Sequence, residues 1–283
     1  MQVEEEFEQQ FKKFIRTVWA LQNPVKVGED TVLANGMYFP DVTHPMSVHT
    51  WLKTVEVMDM NKNVCFVWDT IPLDIDPNTQ QVSESFQLQQ VSDSKLARCT
   101  KPIVIVGLHI EVSGKAVGHE NMIIINLWSE TVERFEPYGT PKEIAAANVD
   151  SYIENSMMMD GGTLEQFKSF KYIPSHQVCV KGPQKWQTMK QEGNIFYGAT
   201  CALWSMFWAL VRIVFPLIES SKIFPILFNY LRTLSPAGDI HDVLYSFIRK
   251  FKLWMLNTVE DAKKKQNAKS SYDSLLMTQE YGW

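Results

Sequence analysis

Three segments with the composition of β-strands follow one another between residues 103 and 136, and a long apolar segment follows later in the chain. The run Ile103–Ile110 is β-branched and apolar, which is typical of a buried strand. Residues 118–126 and 131–136 have strand length and flank a turn near Ser129, so they predict an antiparallel hairpin. The segment Cys201–Val214 has the length of a helix and is almost entirely apolar. This order predicts a mixed α/β chain of the α+β class, in which a central sheet packs on that helix.

The rest of the chain gives more local signals. Residues 3–22 predict an amphipathic helix because apolar side chains recur at steps of three and four. The polar stretch from Pro72 to Asp93 is typical of a loop. From these patterns we predict an accessory N-terminal region over residues 1–100, a core over 101–255 and a polar C-terminal tail over 256–283. Further predicted elements are a strand at 64–68, a helix at 142–155, a strand at 170–173, and helices at 224–234 and 239–255.

Composition argues against several classes of function. The chain has 283 residues, a net charge of -5 and no basic block, which disfavours nucleic acid as the main partner. Its four cysteines are too few for a disulfide scaffold and include no CxxC pair, so we expect a reducing compartment and no metal. The acidic start at residues 1–6 does not resemble a secretory signal, and we expect a protein that is not secreted.

One apolar stretch allows a membrane interpretation. Residues 202–218 are nearly all apolar, but the stretch is shorter than the roughly 20 residues that a membrane span needs. Arg212 would lie near the middle of the bilayer, where a charge is costly. We therefore predict a buried helix rather than a membrane segment, with Trp204 and Trp208 in the core.

His119 and Glu136 lie at matching ends of the predicted hairpin. Residues two apart on a strand share a face, so Arg134 and Glu136 point one way and Phe135 points the other way. In an antiparallel hairpin that turns near Ser129, the start of the first strand lies beside the end of the second. His119 is therefore expected beside Glu136, whose carboxylate can orient the ring and stabilise its protonated form.

Cys201 stands at the predicted start of the apolar helix. A helix N-terminus and a neighbouring imidazolium both favour the thiolate form of a cysteine, which is the nucleophilic form. A lone cysteine in such a place is usually a small buried hydrophobic residue. In combination with His119 and Glu136, however, it indicates a site of nucleophilic catalysis. We interpret the other three cysteines as structural: Cys65, Cys99 and Cys179.

The order histidine, acid, cysteine resembles the adenain and Ulp-type cysteine peptidase group. The residues HENMIIIN from His119 and VERFEPYG from Val132 resemble uncharacterised proteins of giant viruses, which read approximately H-x-N-x-L-I-I-x and then E-R-F-E-P-H-G. Those proteins later carry G-x-Q and G-x-C-x-x-W-S, which appear here as residues 182–184 and 198–205, the cysteine aligning with Cys201. The resemblance covers residues 100–215 and implies a papain-like core whose catalytic residues are His119, Glu136 and Cys201.

The resemblance also implies a glutamine whose side-chain amide joins the Cys201 backbone N–H in an oxyanion hole. In better-known members it lies six or seven residues before the cysteine, where this chain has Ile195 and Asn194. Gln184 has the Gly-Pro-Gln context and is our candidate, with Lys185–Tyr197 as an inserted loop. The alternatives are Gln187 and Gln191.

The implied activity is the hydrolysis of peptide or isopeptide bonds, in the maturation of viral polyproteins and virion proteins or in the removal of ubiquitin-like modifiers. The implied partners are a protein substrate and other virion proteins, with no cofactor, and the implied location is the host cytoplasm or the virion. An alternative is a virion structural or scaffold protein that retains a peptidase-like fold. A membrane-associated protein is the third interpretation.

Overall fold

The computed structural model describes residues 2–21, 60–84 without 77, 98–112, 119–138, 146–188 without 181, and 200–255, together with four residues further on. Six strands of this part form one sheet in the order β2-β1-β3-β4-β5-β6. The pairs β3–β4 and β4–β5 are antiparallel, as is β1–β2, whereas β1–β3 and β5–β6 are parallel. The strands are β1 (Val64–Ile75), β2 (Val82–Glu84), β3 (Ile103–Val112), β4 (His119–Asn126), β5 (Thr131–Phe135) and β6 (Lys171–Ile173).

Helices cover both faces of the sheet. Alternate residues of β3 enter two different hydrophobic clusters: Ile103 and Ile105 join one, and Val104 and Val106 join the other. The helices are α1 (Gln2–Trp19), α2 (Ala146–Tyr152), α3 (Ser175–Val178), α4 (Pro183–Thr188), α5 (Cys201–Val214), α6 (Ser220–Leu234) and α7 over residues 240–255. The first cluster takes its side chains from α1, α5, α6 and α7, and the second from α2 and the segment after it. The predicted α+β class is therefore confirmed.

The central hairpin and the long helix agree closely with prediction. The turn between β4 and β5 spans residues 127–130, and Asn126 Oδ1 accepts hydrogen bonds from the backbone N–H groups of Trp128 and Ser129 at 3.0 and 3.2 Å. Helix α5 begins at Cys201 and ends at Val214, as predicted. It packs on β4 and β3, with Trp204 and Trp208 fully buried. The apolar face predicted for α1 is also confirmed, since Phe7, Phe11, Ile15 and Val18 are buried.

The loop predicted from Pro72 onwards is wrong at its start. Strand β1 continues through Pro72 to Ile75, and Pro72 lies opposite His109 of β3. A proline is tolerated there because β2 pairs only with Leu73–Ile75, so in the described part of the chain the outer edge of β1 at Pro72 has no ladder for its missing N–H to join.

Two described portions of residues 1–100 contact the region that follows them. Strand β1 forms the neighbour of β3 over almost its whole length, and α1 contributes Phe11 and Ile15 to the same cluster as α5. Sequence alone did not reveal this because both contacts join segments far apart in the chain. The predicted tail over 256–283 lies almost wholly outside the described residues.

Two other expectations have structural outcomes. None of the helices in the described ranges combines the length and the apolar character that crossing a bilayer requires. Cys65 and Cys99 form a disulfide with their Cα atoms 5.9 Å apart, which the cysteine count did not indicate. The free cysteines of the described residues are Cys179, which is buried, and Cys201, which is partly exposed.

A buried ion pair fastens α5 to the sheet. The Arg212 Nε donates to Glu133 Oε1 of β5 at 2.7 Å, and both residues are at most 3% exposed. The Arg212 Nη1 donates to the carbonyls of Phe215 and Ile218 at 3.1 and 2.6 Å, and the Ser220 hydroxyl donates to Glu133 Oε2. The charge that the membrane interpretation placed in lipid is thus satisfied inside the protein.

We expect Arg212→Met to lower the free energy of unfolding by about 3–5 kcal/mol, because it leaves the Glu133 carboxylate buried without its cation. Urea denaturation measures this change. The matched control is Lys222→Met, which breaks the exposed Lys222–Glu4 pair and should change the free energy of unfolding little. Equal effects of the two substitutions would contradict the assignment of Arg212 as a core anchor.

Candidate active site

The sheet brings His119 and Glu136 together at one end of the hairpin. His119 is the first residue of β4, and Glu136 directly follows β5. The His119 Nε2 lies 2.5 Å from Glu136 Oε1, within hydrogen-bond distance. The Glu136 carboxylate is 3% exposed as a residue and also accepts the backbone N–H of Tyr138 at 3.0 Å. These contacts hold the Glu136 carboxylate in one orientation relative to the imidazole.

The start of α5 supplies the third side chain of this cluster. Cys201 lies close enough to the His119 ring to contribute to raising its pKa. Cys201 is the first residue of α5, where the unpaired backbone N–H groups of the first turn carry partial positive charge. The structure thus brings three of the four predicted site residues close together.

The electrostatics of the cluster favour a protonated imidazole. Burial by itself would lower the pKa of His119, but the charge of Glu136 and the hydrogen bonds with Cys201 and Glu136 outweigh it and raise the pKa to about 10. Burial likewise opposes ionisation of Glu136, yet the charges of His119 and Arg134 hold the pKa of that carboxyl below its usual value. At neutral pH Cys201 therefore faces an imidazolium.

The fourth predicted residue, Gln184, is held next to this cluster. Its backbone N–H donates to the Pro137 carbonyl at 3.0 Å, and Gly182 N–H donates to the Tyr138 carbonyl at 3.2 Å. These two bonds join the start of α4 to the segment that follows Glu136, and α4 also packs against α5. Gln184 itself is fully buried.

The expectation of an inserted loop over Lys185–Tyr197 is wrong at its start, because α4 continues to Thr188. The remainder of that loop, with the alternative Gln191, lies outside the described residues. Gln187 falls within α4, one turn beyond Gln184.

A buried arginine lies behind the acid. The Arg134 Nη2 donates to Glu136 Oε2 at 2.9 Å, and its Nε donates to Asn121 Oδ1 at 2.9 Å. Its Nη1 lies 3.2 Å from Asp150 Oδ2 of α2. Arg134 is completely buried, and although burial lowers the pKa of its guanidinium, the charges of Asp150 and Glu136 outweigh this and raise it. The predicted shared face of Arg134 and Glu136 is confirmed by their contact.

Tyr138 borders the site on its exposed side. Its ring centroid lies 5.1 Å from that of His119. Burial, followed by the charges of Cys201 and Glu136, raises the pKa of Tyr138 to about 12, so the phenol stays neutral and can donate a hydrogen bond.

Sequence reasoning missed Tyr138, Asn121 and Asp150. Only Asp150 left a usable signal: it is a carboxylate on a helix face that also carries the buried Val149 and Ile153. A charge among apolar positions of a helix implies a buried partner. Among the described residues, no group of histidine, cysteine and carboxylate side chains is arranged to hold a metal ion.

Comparison with known proteins adds little to this geometry. No protein-family model matches the chain, and no curated protein matches it. Among solved structures the chain is similar to the Chlamydia trachomatis effector protein ChlaDUB1, with 10% sequence identity over 92% of each chain and a TM-score of 0.38. A similarity this low supports no conclusion about function.

Proposed function

We propose that this chain is a cysteine peptidase of the adenain and Ulp-type group, with His119, Glu136 and Cys201 as the catalytic residues and Gln184 in the oxyanion hole. One observation carries the proposal: a single imidazole is hydrogen-bonded to a buried carboxylate and lies beside a cysteine at a helix N-terminus. Such an arrangement provides a nucleophile and its proton donor in one place.

The first half of the reaction forms a thioester. The Cys201 thiolate attacks the carbonyl carbon of the scissile bond, and the carbonyl oxygen becomes an oxyanion. The backbone N–H of Cys201 and the side-chain amide of Gln184 stabilise that charge. The His119 imidazolium then gives its proton to the leaving amine as the carbon–nitrogen bond breaks, which leaves an acyl group on the sulfur and a neutral imidazole.

The second half restores the enzyme. The neutral His119 takes a proton from a water molecule as that water attacks the thioester carbon. The carbon–sulfur bond breaks, the acid product leaves, and Cys201 returns as a thiolate beside the imidazolium. Throughout, Glu136 holds the ring in place and stabilises its charged form.

We propose a protein substrate, cleaved either in viral polyprotein or virion-protein maturation or in the removal of a ubiquitin-like modifier. Fluorogenic amides of ubiquitin-like C-termini and a positional-scanning peptide library distinguish these two classes of substrate. Turnover of a modifier amide alone favours modifier removal, and turnover of library peptides alone favours maturation.

The reactivity of Cys201 tests the proposal without a substrate. We expect iodoacetamide to alkylate Cys201 faster than Cys179 at pH 6.5, because Cys201 is partly exposed beside the His119 imidazolium and Cys179 is buried. His119→Ala removes that cationic neighbour and should slow the reaction of Cys201 at pH 6.5 by about 10- to 100-fold. Peptide mapping by mass spectrometry gives the rate for each cysteine.

The control for this measurement is His109→Ala. His109 also lies between carboxylates, 2.5 Å from Glu120 and 3.0 Å from Glu111. Its substitution by alanine should leave the alkylation rate of Cys201 unchanged. A Cys201 rate that is the same with and without His119 would contradict the proposed site. Absence of both labelling and turnover would favour the alternative of a structural protein with a peptidase-like fold.

A further inference from the structure

The two carboxylate oxygens of Glu136 have different hydrogen-bond partners. Oε1 accepts from His119 and from the backbone of Tyr138, whereas Oε2 accepts from Arg134 at 2.9 Å. Rotation of the carboxylate would break the bond to Arg134, so the guanidinium fixes the plane in which Oε1 meets the imidazole. A misplacement of about 1 Å in such a contact can cost about 100-fold in rate.

The guanidinium is itself held from three sides. Asn121 on β4 accepts from its Nε, and Asp150 on α2 pairs with its Nη1. Asp150 is in turn fixed by three donors: the Tyr172 hydroxyl at 2.6 Å, the Ser175 hydroxyl at 2.7 Å and the Ser175 backbone N–H at 3.2 Å. These contacts connect Glu136 through Arg134 to β4, α2, β6 and the start of α3.

We infer that Asp150 and Arg134 are positioning residues, a buried ion pair that fixes the Glu136 carboxylate and through it the orientation and charge of the His119 ring. This inference rests on the proposed function for its effect on turnover, and not for its effect on His119. Neither residue is near enough to the reacting bond to act as a catalytic group itself, because Glu136 and His119 stand between the pair and Cys201.

The cluster contains charges of both signs. Two cations, Arg134 and the His119 imidazolium, face two anions, Glu136 and Asp150. Loss of the Asp150 charge leaves the whole guanidinium charge acting on Glu136, so that Glu136 holds the imidazole proton less strongly. Among the described residues, the other titratable groups that act on the cluster are Cys201 from α5, Tyr138 from the turn after Glu136, Tyr172 from β6 and Glu154, which acts on Tyr172.

The test compares Asp150→Asn, which removes the charge at nearly constant shape, with Tyr172→Phe, which removes one hydrogen bond to Asp150 and leaves its charge. The His119 titration is followed by NMR of its ring protons between pH 5 and 11. Asp150→Asn should lower the His119 midpoint by about one pH unit, and Tyr172→Phe should not move it measurably. Asp150→Asn should also reduce kcat by about 10- to 100-fold, with KM nearly unchanged.

A second variant keeps the inference testable if Asp150→Asn does not fold. Arg134→Lys retains the cation but cannot reach Asn121, Glu136 and Asp150 at once, and should reduce kcat at least about tenfold with KM unchanged. Wild-type turnover in Arg134→Lys, or an unchanged His119 midpoint in Asp150→Asn, would overturn the inference and leave Asp150 with a purely structural role. A parent protein without turnover would refute the proposed function. The titration needs no substrate, so the His119 midpoint in Asp150→Asn would still test the positioning role of Asp150.

Discussion

The His119→Ala variant will lose about 10⁴- to 10⁶-fold in kcat toward the best substrate of the peptide and modifier-amide panel, which is the scale seen when a member of a catalytic triad is removed. The reason is that His119 lies between the acid, to which it is hydrogen-bonded, and Cys201, which contributes to its raised pKa. Without it, Cys201 loses its cationic partner and the leaving amine loses its proton donor. Initial rates under substrate saturation measure the change.

Two controls separate this loss from general damage. His109 on β3 is flanked by Glu120 and Glu111 much as His119 is flanked by Glu136, and its pKa is raised to about 9, chiefly by the hydrogen bond with Glu120. Its ring nitrogens are hydrogen-bonded to these two carboxylates, so His109→Ala should retain wild-type turnover. Cys201→Ser should match His119→Ala, whereas Cys179→Ser should retain activity. A His119→Ala protein that keeps even one tenth of the parent turnover would contradict the proposed mechanism.

Gln184→Ala will reduce kcat by about 10²- to 10³-fold, the usual consequence of removing one oxyanion-hole donor. The KM should change little, because the donor is aimed at a charge that exists only in the transition state. The backbone bonds that join α4 to Pro137 and Tyr138 place Gln184 next to the site and support this assignment. Steady-state kinetics with separate kcat and KM provide the test.

The matched control is Gln187→Ala, one turn further along α4, which should change kcat and KM little. The alternative Gln191→Ala should also be silent. If Gln191 proves essential and Gln184 silent, the oxyanion assignment is wrong, although the peptidase proposal survives. A circular dichroism melt of Gln184→Ala shows whether the loss of rate has a structural origin, since Gln184 is fully buried.

Local patterns predicted much of the core of this fold. Strand β3 and the β4–β5 hairpin follow from β-branched runs around a polar turn, and α5 follows from an apolar segment of helical length. The same hairpin pattern was sufficient to place His119 beside Glu136, because register within a hairpin is set by its turn. Local sequence patterns are therefore sufficient to predict the relative positions of His119 and Glu136, two of the four predicted site residues.

Local sequence patterns do not predict contacts between segments that are far apart in the chain. The sequence predicts strand β1 only over residues 64–68, because Pro72 and the polar residues after it resemble a loop. In the structure, pairing with β3 continues β1 through Pro72. Asp150 was missed for the same reason: its partners come from β5, β6 and α3, and no short window of sequence contains them. Tertiary pairing, rather than local propensity, decided both cases.

The most direct test of the central claim is a rapid-quench measurement of the covalent intermediate. The full chain is mixed with the best substrate of the panel, quenched in acid within milliseconds to seconds, digested with pepsin and mapped by mass spectrometry. The account predicts an acyl group on Cys201 that accumulates in the parent protein and is absent from His119→Ala. Turnover of substrate with no adduct on Cys201, or with undiminished rate in Cys201→Ser, would contradict it.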